Sequence, residues 1–365
     1  MTKIKDIINH LEQIAPLAYQ ESYDNVGLLV GDTSATVTGV LTCLDITEAV
    51  LHEAKSQNCN LITAHHPIIF QPIKKLTGSN YVERCIIQAI RQDLAIYAIH
   101  TNIDNIAQGV NKRLAQCLNL QRLAILLPKP STLSKLTTFV PQSAIEPVLQ
   151  ALHQAGAGHV GDYTHCSFVS TGTGSFKPTA AANPYIGTPS KAEKVAEYRA
   201  EVIFPSYLEK QVVAALKQAH PYEEVAYYIQ KLENSNPEVG TGMIGELPQA
   251  LTSEELLSYL KTNINLGCIR HSAPIPRPIK KVAVCGGVGS FLLPEAIRQQ
   301  AGAFITADVK YRDFFNAADN ILIADIGHYE SEIITKDLIH DLLSEKFPSI
   351  AVLRCDTITN PVHYF

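Results

Sequence analysis

Short apolar runs alternate with amphipathic helical patterns near the start of the chain, and this alternation limits the folds open to it. Strands are predicted over residues 37–44, 60–64 and 94–99, and helices over 48–56 and 81–92. Strands separated by helices favour a mostly parallel sheet, because each parallel connection needs a crossover long enough to hold a helix. Such crossovers are right-handed.

The same alternation returns after residue 246. A helix is predicted over 253–261, where Thr252 and Glu255 have the spacing of a capping box, and strands over 281–285, 303–306 and 321–325. Residues 61–65 (LITAH) faintly resemble residues 304–308 (FITAD). Chance competes with this five-residue match; a true repeat would indicate two equivalent halves with a site between them.

The middle of the chain has a different pattern. Two strand–helix pairs are predicted there, residues 136–140 with 144–155 and 200–204 with 207–219, separated by a Gly/Pro/Thr-rich loop or hairpin region over 170–190. This order is typical of a split-βαβ, ferredoxin-type α+β domain. We therefore expect an α/β unit in two halves, 1–128 and 246–365, interrupted by an inserted domain over 129–245.

Composition excludes several classes of protein. Thirty basic residues against thirty-five acidic ones give a net charge of -5, which disfavours nonspecific nucleic-acid binding. No apolar run approaches the ~18 residues of a membrane span, and residues 1–20 predict an amphipathic helix that stops at Pro16 rather than a signal peptide. The eight cysteines form no CxxC pair. They are typical of core residues in a reducing compartment, so we expect a cytoplasmic protein.

Polar residues follow three predicted strands, where open α/β sheets usually bind ligands. The first set is His65 and His66, the second is His100 with Asp104, and the third is His328 with Glu332. If a helix begins after Gly327, the spacing of four places the last pair on one helix face. Imidazole and carboxylate ligands without thiolate suit Zn, Fe, Mn, Co or Ni. The alternative for each residue is an ordinary capping or surface role, which is how isolated histidines such as His52 are interpreted.

Three further segments have weaker signals. Residues 285–291 form a glycine-rich turn that either cradles a phosphate or simply connects a strand to a helix. Asp45 is expected to cap a helix or to support a metal ligand from behind. Asp308 and Lys310 either meet a substrate or lie in a solvated loop.

Four motifs together resemble the NIF-three-like family, whose bacterial members are known as type 2 homologues of GTP cyclohydrolase 1. They are residues 23–28 (YDNVGL), 63–67 (TAHHP), 100–104 (HTNID) and 327–332 (GHYESE). Residues 158–163 (GHVGDY) and 220–225 (HPYEEV) resemble the PII/CutA-like insert of longer members. One departure is Tyr23, where the family commonly has Trp.

The resemblance implies a centre of two divalent metal ions and a set of ligands for it. These ligands are His65, His66, Asp104, His328 and a bridging Glu332. It also implies a homohexamer, a trimer of dimers, in which the inserts trimerise. Catalytic residues other than the ligands are not identified by it.

Two functions follow from this resemblance. The first is a metal-dependent hydrolase that opens the imidazole ring of GTP. The alternative is a hexamer that senses a metal, a nucleotide or other small molecule, or a partner protein without catalysis, using the polar loop over residues 178–191.

Overall fold

The structure, a computed structural model, describes residues 1–364 and divides into two compact units. The larger unit contains Met1–Pro128 and the chain from Pro237 onward, and the smaller one is Lys129–Asn236. The larger unit is mixed α/β with two separate sheets. The chain therefore leaves the larger unit once and returns to it.

The first sheet is built by the start of the chain. Its elements are α1 (Ile4–Ile14), β1 (Gly27–Val30), β2 (Val40–Cys43), α2 (Glu48–Ser56), β3 (Leu61–Ala64), α3 (Tyr81–Arg91), β4 (Ala95–Ala98), α4 (Thr101–Asp104) and α5 (Val110–Cys117). Strands β2, β3 and β4 pair in parallel, as the alternation predicted, and β1 adds antiparallel to β4. Helix α1 buries Ile4, Ile7, Ile8 and Leu11, which confirms its predicted amphipathic spacing.

The smaller unit follows β5 (Gln121–Pro128). Its elements are β6 (Leu133–Pro141), α6 (Ile145–Gln154), β7 (Phe168–Phe176), β8 (Glu193–Pro205), α7 (Glu209–Ala219) and β9 (Tyr227–Leu232). The four strands form an antiparallel sheet in the order β7-β8-β6-β9. Leu136, Val202 and Phe204 lie on the sheet face that packs against Val148 and Leu216 of the two helices.

The region over residues 170–190, predicted as a loop or hairpin, begins with strand β7, which agrees with the hairpin alternative. It pairs with β8 over nine residues, from Phe168 opposite Glu201 to Phe176 opposite Glu193. The sequence pattern does not distinguish the two alternatives here because β7 lies at the sheet edge and is largely exposed, so it lacks an alternation of apolar and polar residues. Strand β7 is held in the sheet by its backbone hydrogen bonds to β8.

The second sheet is built by the rest of the chain. Its elements and the last strand are β10 (Gly240–Leu251), α8 (Ser253–Ile264), β11 (Arg270–His271), β12 (Ile279–Val288), α9 (Leu293–Arg298), β13 (Ala303–Ala307), β14 (Leu322–Asp325), α10 (His328–Glu332), α11 (Ile334–Lys346) and β15 (Val352–Arg354). The strand order is β11-β14-β13-β12-β10-β5. Because β10 pairs with β5 and β12, residues 240–245 lie in the larger unit, although the sequence assigned them to the insert.

The two sheets share one arrangement. In each, three parallel strands lie side by side in the order in which they occur along the chain, β2-β3-β4 and β12-β13-β14. A short antiparallel strand pairs with the third of them: β1 with β4, and β11 with β14. The faintly similar pentapeptides lie on β3 and β13, the middle strand of each set, and on the residue that follows it. Equivalent segments therefore occupy equivalent places, as a true repeat would require.

The end of the described chain returns to the first sheet. Strand β15 pairs in parallel with β2, and Ile339 and Leu343 of α11 lie in one apolar cluster with Ile7 and Leu11 of α1. The sequence analysis predicted no strand here, because a three-residue strand has no periodicity that identifies it or its partner. None of the helices within residues 1–364 combines the length and apolar character of a membrane span.

The capping box predicted for α8 is present and gives a test of the local structure. The Thr252 hydroxyl accepts the Glu255 N–H, and the Glu255 carboxylate accepts the Thr252 N–H at 2.8 Å. Thr252→Ala should lower the free energy of unfolding by about 1 kcal/mol, measured by denaturant titration. Thr262→Ala on the same helix is the control, because the Thr262 hydroxyl bonds only to the helix carbonyl of Ser258. Equal losses in both variants would contradict the capping role.

Candidate metal centre

The predicted ligands all follow parallel strands or the short helices beyond them. His65 and His66 come directly after β3, Asp104 is the last residue of α4 beyond β4, and His328 and Glu332 are the ends of α10 beyond β14. The carboxyl ends of parallel strands meet at one edge of a sheet. The structure brings the ends of both sheets together, so that all five side chains converge.

Glu332 lies at the centre of this cluster. Its Oε2 is 2.9 Å from Nε2 of His66 and 2.9 Å from Nε2 of His328, and those two nitrogens are 3.4 Å apart. His328 and Glu332 meet because they are one helical turn apart on α10. The hydrogen bonds from His328 and His66 hold the pKa of the Glu332 carboxyl well below its usual range, although burial acts in the opposite direction.

His65 is fully buried, and only one of its ring nitrogens has a hydrogen-bond partner. Nδ1 donates to the Ile99 carbonyl at 2.9 Å, which fixes the ring and leaves Nε2 unprotonated. Nε2 is buried without a hydrogen bond in the described chain, 3.8 Å from Oδ1 of Asp104 and 3.9 Å from Oε2 of Glu332. Burial lowers the pKa of His65 to about 3, so the ring is neutral at ordinary pH.

The other histidines are oriented by carboxylates behind them. Nδ1 of His66 is 2.7 Å from Asp45, and Nδ1 of His328 is 2.6 Å from Asp308. Each ring therefore turns Nε2 toward Glu332. Burial opposes protonation of His66, but its bonds to Asp45 and Glu332 prevail and raise its pKa to about 10. The bond to Glu332 is the main reason that the pKa of His328 is raised to about 9.

These contacts decide between the roles that the sequence left open for Asp45 and Asp308. Asp45 lies behind His66 and also accepts the Thr359 hydroxyl at 2.7 Å, while Thr47 caps α2. Asp308, considered for a substrate, is the partner of His328. Both acids thus support histidines of the cluster.

Asp104 places a second carboxylate beside Glu332. Burial raises the pKa of Asp104 well above its usual range, and the negative charge of Glu332 raises it further. Two acids held this close repel each other unless a proton or a cation lies with them. The cluster is therefore electrostatically suited to a positive ion.

His100 belongs to the cluster. The sequence analysis placed it with Asp104 among the polar residues after the strands, but the ligand set implied by the family resemblance left it out. Its ring centroid is 5.1 Å from that of His65 and 5.3 Å from that of His66, and its Nδ1 is 2.9 Å from Asp24. The signal was present, because His100 is the second residue after β4, as His66 is the second after β3. The role of Asp24 had no local signal, since its partners His100 and Thr101 are more than seventy residues away.

Three groupings of side chains have ligand atoms within 4.8 Å of one another. They are His65 with His66 and His100, His66 with His328 and Glu332, and His65 with Asp104 and Glu332. Each grouping offers nitrogen or mixed nitrogen and oxygen donors, which suit first-row transition metals. The described residues can therefore hold a metal ion, and the predicted assignment of each ligand stays a prediction.

The glycine-rich end of β12 leaves room for Glu332. Gly287 has a φ of 59°, and a Cβ on it would lie 2.3 Å from Oε1 of Glu332. Its N–H donates to the Ser331 hydroxyl, and the Gly286 N–H donates to the side chain of Asn111. These two N–H groups are thus already used, which favours the strand-to-helix connection over the phosphate cradle considered for this turn.

Comparison with known proteins shows similarity over nearly the whole chain. The profile of the Duf34/NIF3 (NGG1p interacting factor 3) family matches residues 2–361. A protein of Bacillus subtilis (strain 168) named GTP cyclohydrolase 1 type 2 homolog is 36% identical over 366 aligned positions, which cover 98% of this chain and 97% of that one. A protein of the same name from Halalkalibacterium halodurans is 37% identical over 360 positions, 97% of each chain.

A solved structure shows the same fold. The crystal structure of a Bacillus cereus protein related to NIF3 superposes with a TM-score of 0.88 at 34% sequence identity, covering 100% of this chain and 99% of that one.

The close approach of Gly287 to Glu332 predicts that a methyl group is not tolerated there. Gly287→Ala would both strain a left-handed backbone, at a cost of about 1–2 kcal/mol, and press on the carboxylate of Glu332. Gly286→Ala is the matched control, because its Cβ would lie 3.3 Å from Cγ of Glu332. Denaturant unfolding should show a clearly larger loss for Gly287→Ala, and similar losses in both variants would count against this packing.

Proposed function

The chain belongs to the Duf34/NIF3 family, and on that premise we propose that its central cluster binds two divalent metal ions and uses them for hydrolysis. The proposed ligands are His65, His66, Asp104, His328 and Glu332. Zn, Fe, Mn, Co and Ni all suit imidazole and carboxylate donors. His100 is a further candidate ligand, because its ring lies against His65 and His66.

The observation that carries this proposal is the unpaired Nε2 of His65. A buried nitrogen without a hydrogen bond costs free energy, and its neutral state makes it an electron-pair donor. It faces Asp104 and Glu332, which together concentrate negative charge in a buried place. A cation at this position would satisfy the nitrogen and relieve the repulsion between the two acids.

The remaining residues prepare the cluster for this role. The Ile99 carbonyl, Asp45 and Asp308 each bond to Nδ1 of a histidine, so three Nε2 atoms are directed inward before any ion arrives. Such support typically contributes a factor of about 10–100 in metal affinity. Glu332, whose Oε2 lies between His66 and His328, is the residue we assign as the bridging ligand.

Divalent ions at such a site supply Lewis acidity, which lowers the pKa of coordinated water and stabilises negative charge on oxygen. We propose that the substrate is GTP and that the reaction is hydrolytic opening of its imidazole ring. What supports this choice is the name GTP cyclohydrolase 1 type 2 homolog that both bacterial relatives bear.

Several broader features belong to the same proposal. We propose a homohexamer, a trimer of dimers, supported by the family resemblance of the four motifs. We propose that the insert has a PII/CutA-like, ferredoxin-type fold, supported by its antiparallel strand order β7-β8-β6-β9. We keep the division into two outer halves and an insert that begins at residue 129, with the insert ending at Asn236 rather than at residue 245. The cytoplasmic location stays a prediction, supported by eight cysteines without disulfides.

Elemental analysis tests the ligand assignment. Protein purified without added metal should contain about two transition-metal ions per chain, as dinuclear hydrolases do. His65→Ala and Glu332→Gln should lose most of this metal, because each removes a central donor. Asp45→Asn should retain the site with an affinity lowered by about 10–100-fold.

His52→Ala is the control for the elemental analysis, because His52 is an exposed residue of α2 and belongs to none of the three groupings of possible metal ligands. It should keep the full metal content. Normal metal content in both His65→Ala and Glu332→Gln would exclude the proposed site.

Formate release tests the reaction. Metal-loaded protein incubated with GTP should release formate from the opened ring, His65→Ala should release none above background, and His52→Ala should match the wild type. GTP that raises the melting temperature without turnover would instead favour a nucleotide-sensing protein. Absence of both turnover and stabilisation with each candidate metal would exclude GTP as the ligand.

A further inference from the structure

The segment that follows β15, residues 355–360, bonds to supports of the metal cluster, and we call it the strap. Every second residue of its first part is covered by the protein. Cys355 is buried and Thr357 and Thr359 are half-buried, whereas Ile358 between them is 78% exposed. A period of two is that of an extended chain with one covered face. Beyond Cys355 this covered face carries hydroxyl groups, so it is suited to hydrogen bonds rather than to apolar packing.

The start of the strap is fixed by Glu53 of α2. Its Oε1 accepts the Asp356 N–H at 2.7 Å, and its Oε2 accepts the N–H and the hydroxyl of Thr357 at 2.9 and 2.5 Å. The Lys336 ammonium of α11 donates to the Cys355 carbonyl at 3.0 Å. Two helices therefore hold the strap in place before it reaches the metal cluster.

Thr359 bonds to the acid that lies behind His66. Its hydroxyl donates to Oδ2 of Asp45 at 2.7 Å, while Oδ1 of the same carboxylate lies 2.7 Å from Nδ1 of His66. The Asp45 side chain is 32% exposed, so burial alone does not prevent it from rotating. Because a carboxylate is planar, a bond that fixes one oxygen also fixes the direction of the other. Thr359 therefore orients the acid that orients His66.

The next residue, Asn360, bonds to the opposite half of the cluster. Its side-chain N–H donates to Oε1 of Glu330 at 3.1 Å. Glu330 lies between His328 and Glu332 on α10, a helix of five residues whose start is capped by no side chain in the described part of the chain. So short a helix is not stable by itself. Its position, and with it the position of its two ligands, depends on bonds from outside.

We propose that Thr359 and Asn360 are positioning residues for the metal ligands and that the strap holds the two halves of the cluster at a fixed spacing. These adjacent residues bond to one half each, since Asp45 follows β2 of the first sheet and Glu330 lies beyond β14 of the second. Loss of either bond lets a histidine of the cluster turn away from the shared carboxylate. The inference rests on the proposed metal centre and adds to it two residues that are not ligands.

Competition with a chelator measures the effect of Thr359 on metal affinity, with Co²⁺ as the probe. Thr359→Val keeps the shape of the side chain without its hydroxyl. It should weaken Co²⁺ binding by about three- to tenfold, less than the ~10–100-fold typical of a direct partner of a ligand. Thr359→Ser keeps the hydroxyl and should bind Co²⁺ as the wild type does. Thr357→Val is the matched control, because that hydroxyl bonds to Glu53 rather than to Asp45, and it should also match the wild type.

A double-mutant cycle shows whether Thr359 acts through Asp45. In the Asp45→Ala background, Thr359→Val should cause little further loss of Co²⁺ affinity, because no acid remains for the hydroxyl to orient. A merely structural contribution of Thr359 would weaken binding by the same factor in both backgrounds.

Hydrogen exchange of the metal-free protein tests the bond to α10 without any metal. Asn360→Ala should speed exchange of the amides in residues 328–333 by about threefold or more, measured by mass spectrometry of peptides. The amides of α8 provide the internal reference and should exchange at the wild-type rate. Thr357→Val should leave both segments unchanged.

Three results would overturn the inference about the strap while leaving the metal centre intact. They are wild-type Co²⁺ affinity in Thr359→Val, an equal loss in both backgrounds of the cycle, and unchanged exchange of α10 in Asn360→Ala. A wild-type protein that binds no Co²⁺ would instead refute the metal centre, and the role of the strap with it.

Discussion

Glu332 is a buried carboxylate, and its bonding partners come from both sheets of the larger unit. His328 lies on its own helix, but His66 follows β3 of the first sheet. An unpaired carboxylate at this depth would cost several kcal/mol, so burial of Glu332 requires that the carboxyl ends of the two sheets face each other. The orientation of the histidines follows from that closure, because Asp45 and Asp308 each hold one ring from its own half.

The shared strand arrangement explains why these ends can meet. Each sheet has three adjacent strands that run parallel, so the polar residues that follow these strands lie at one edge of the sheet. The two halves nevertheless contribute different chemistry. The middle strand of the first half is followed by His65, and the corresponding strand of the second half is followed by Asp308. One half thus supplies an inward nitrogen donor where the other supplies a supporting acid.

The sequence predicted most of the parallel strands and most of the helices. It also predicted that five side chains converge, because the residues that follow each strand can be read locally and parallel strands bring their ends to one edge. The sequence did not predict that Asp24 bonds to His100 or that Asp308 bonds to His328, because each pair is separated along the chain. It left a loop and a hairpin open for the region of β7, since an exposed edge strand needs no apolar alternation. It predicted no strand at β15, because pairing across more than three hundred residues leaves no trace in a three-residue strand.

The return of β15 has a consequence for synthesis on the ribosome. The first sheet cannot be completed until residues 352–354 have emerged, which is after the insert and the second sheet have been made. Until then β2 has an unpaired edge, and unpaired edges invite association with other chains. The insert, by contrast, closes on itself early, with the Asn236 N–H bonded to the Lys129 carbonyl at 3.3 Å. A nascent chain of this protein would therefore carry a finished inner domain while its outer one still waits for its final strand.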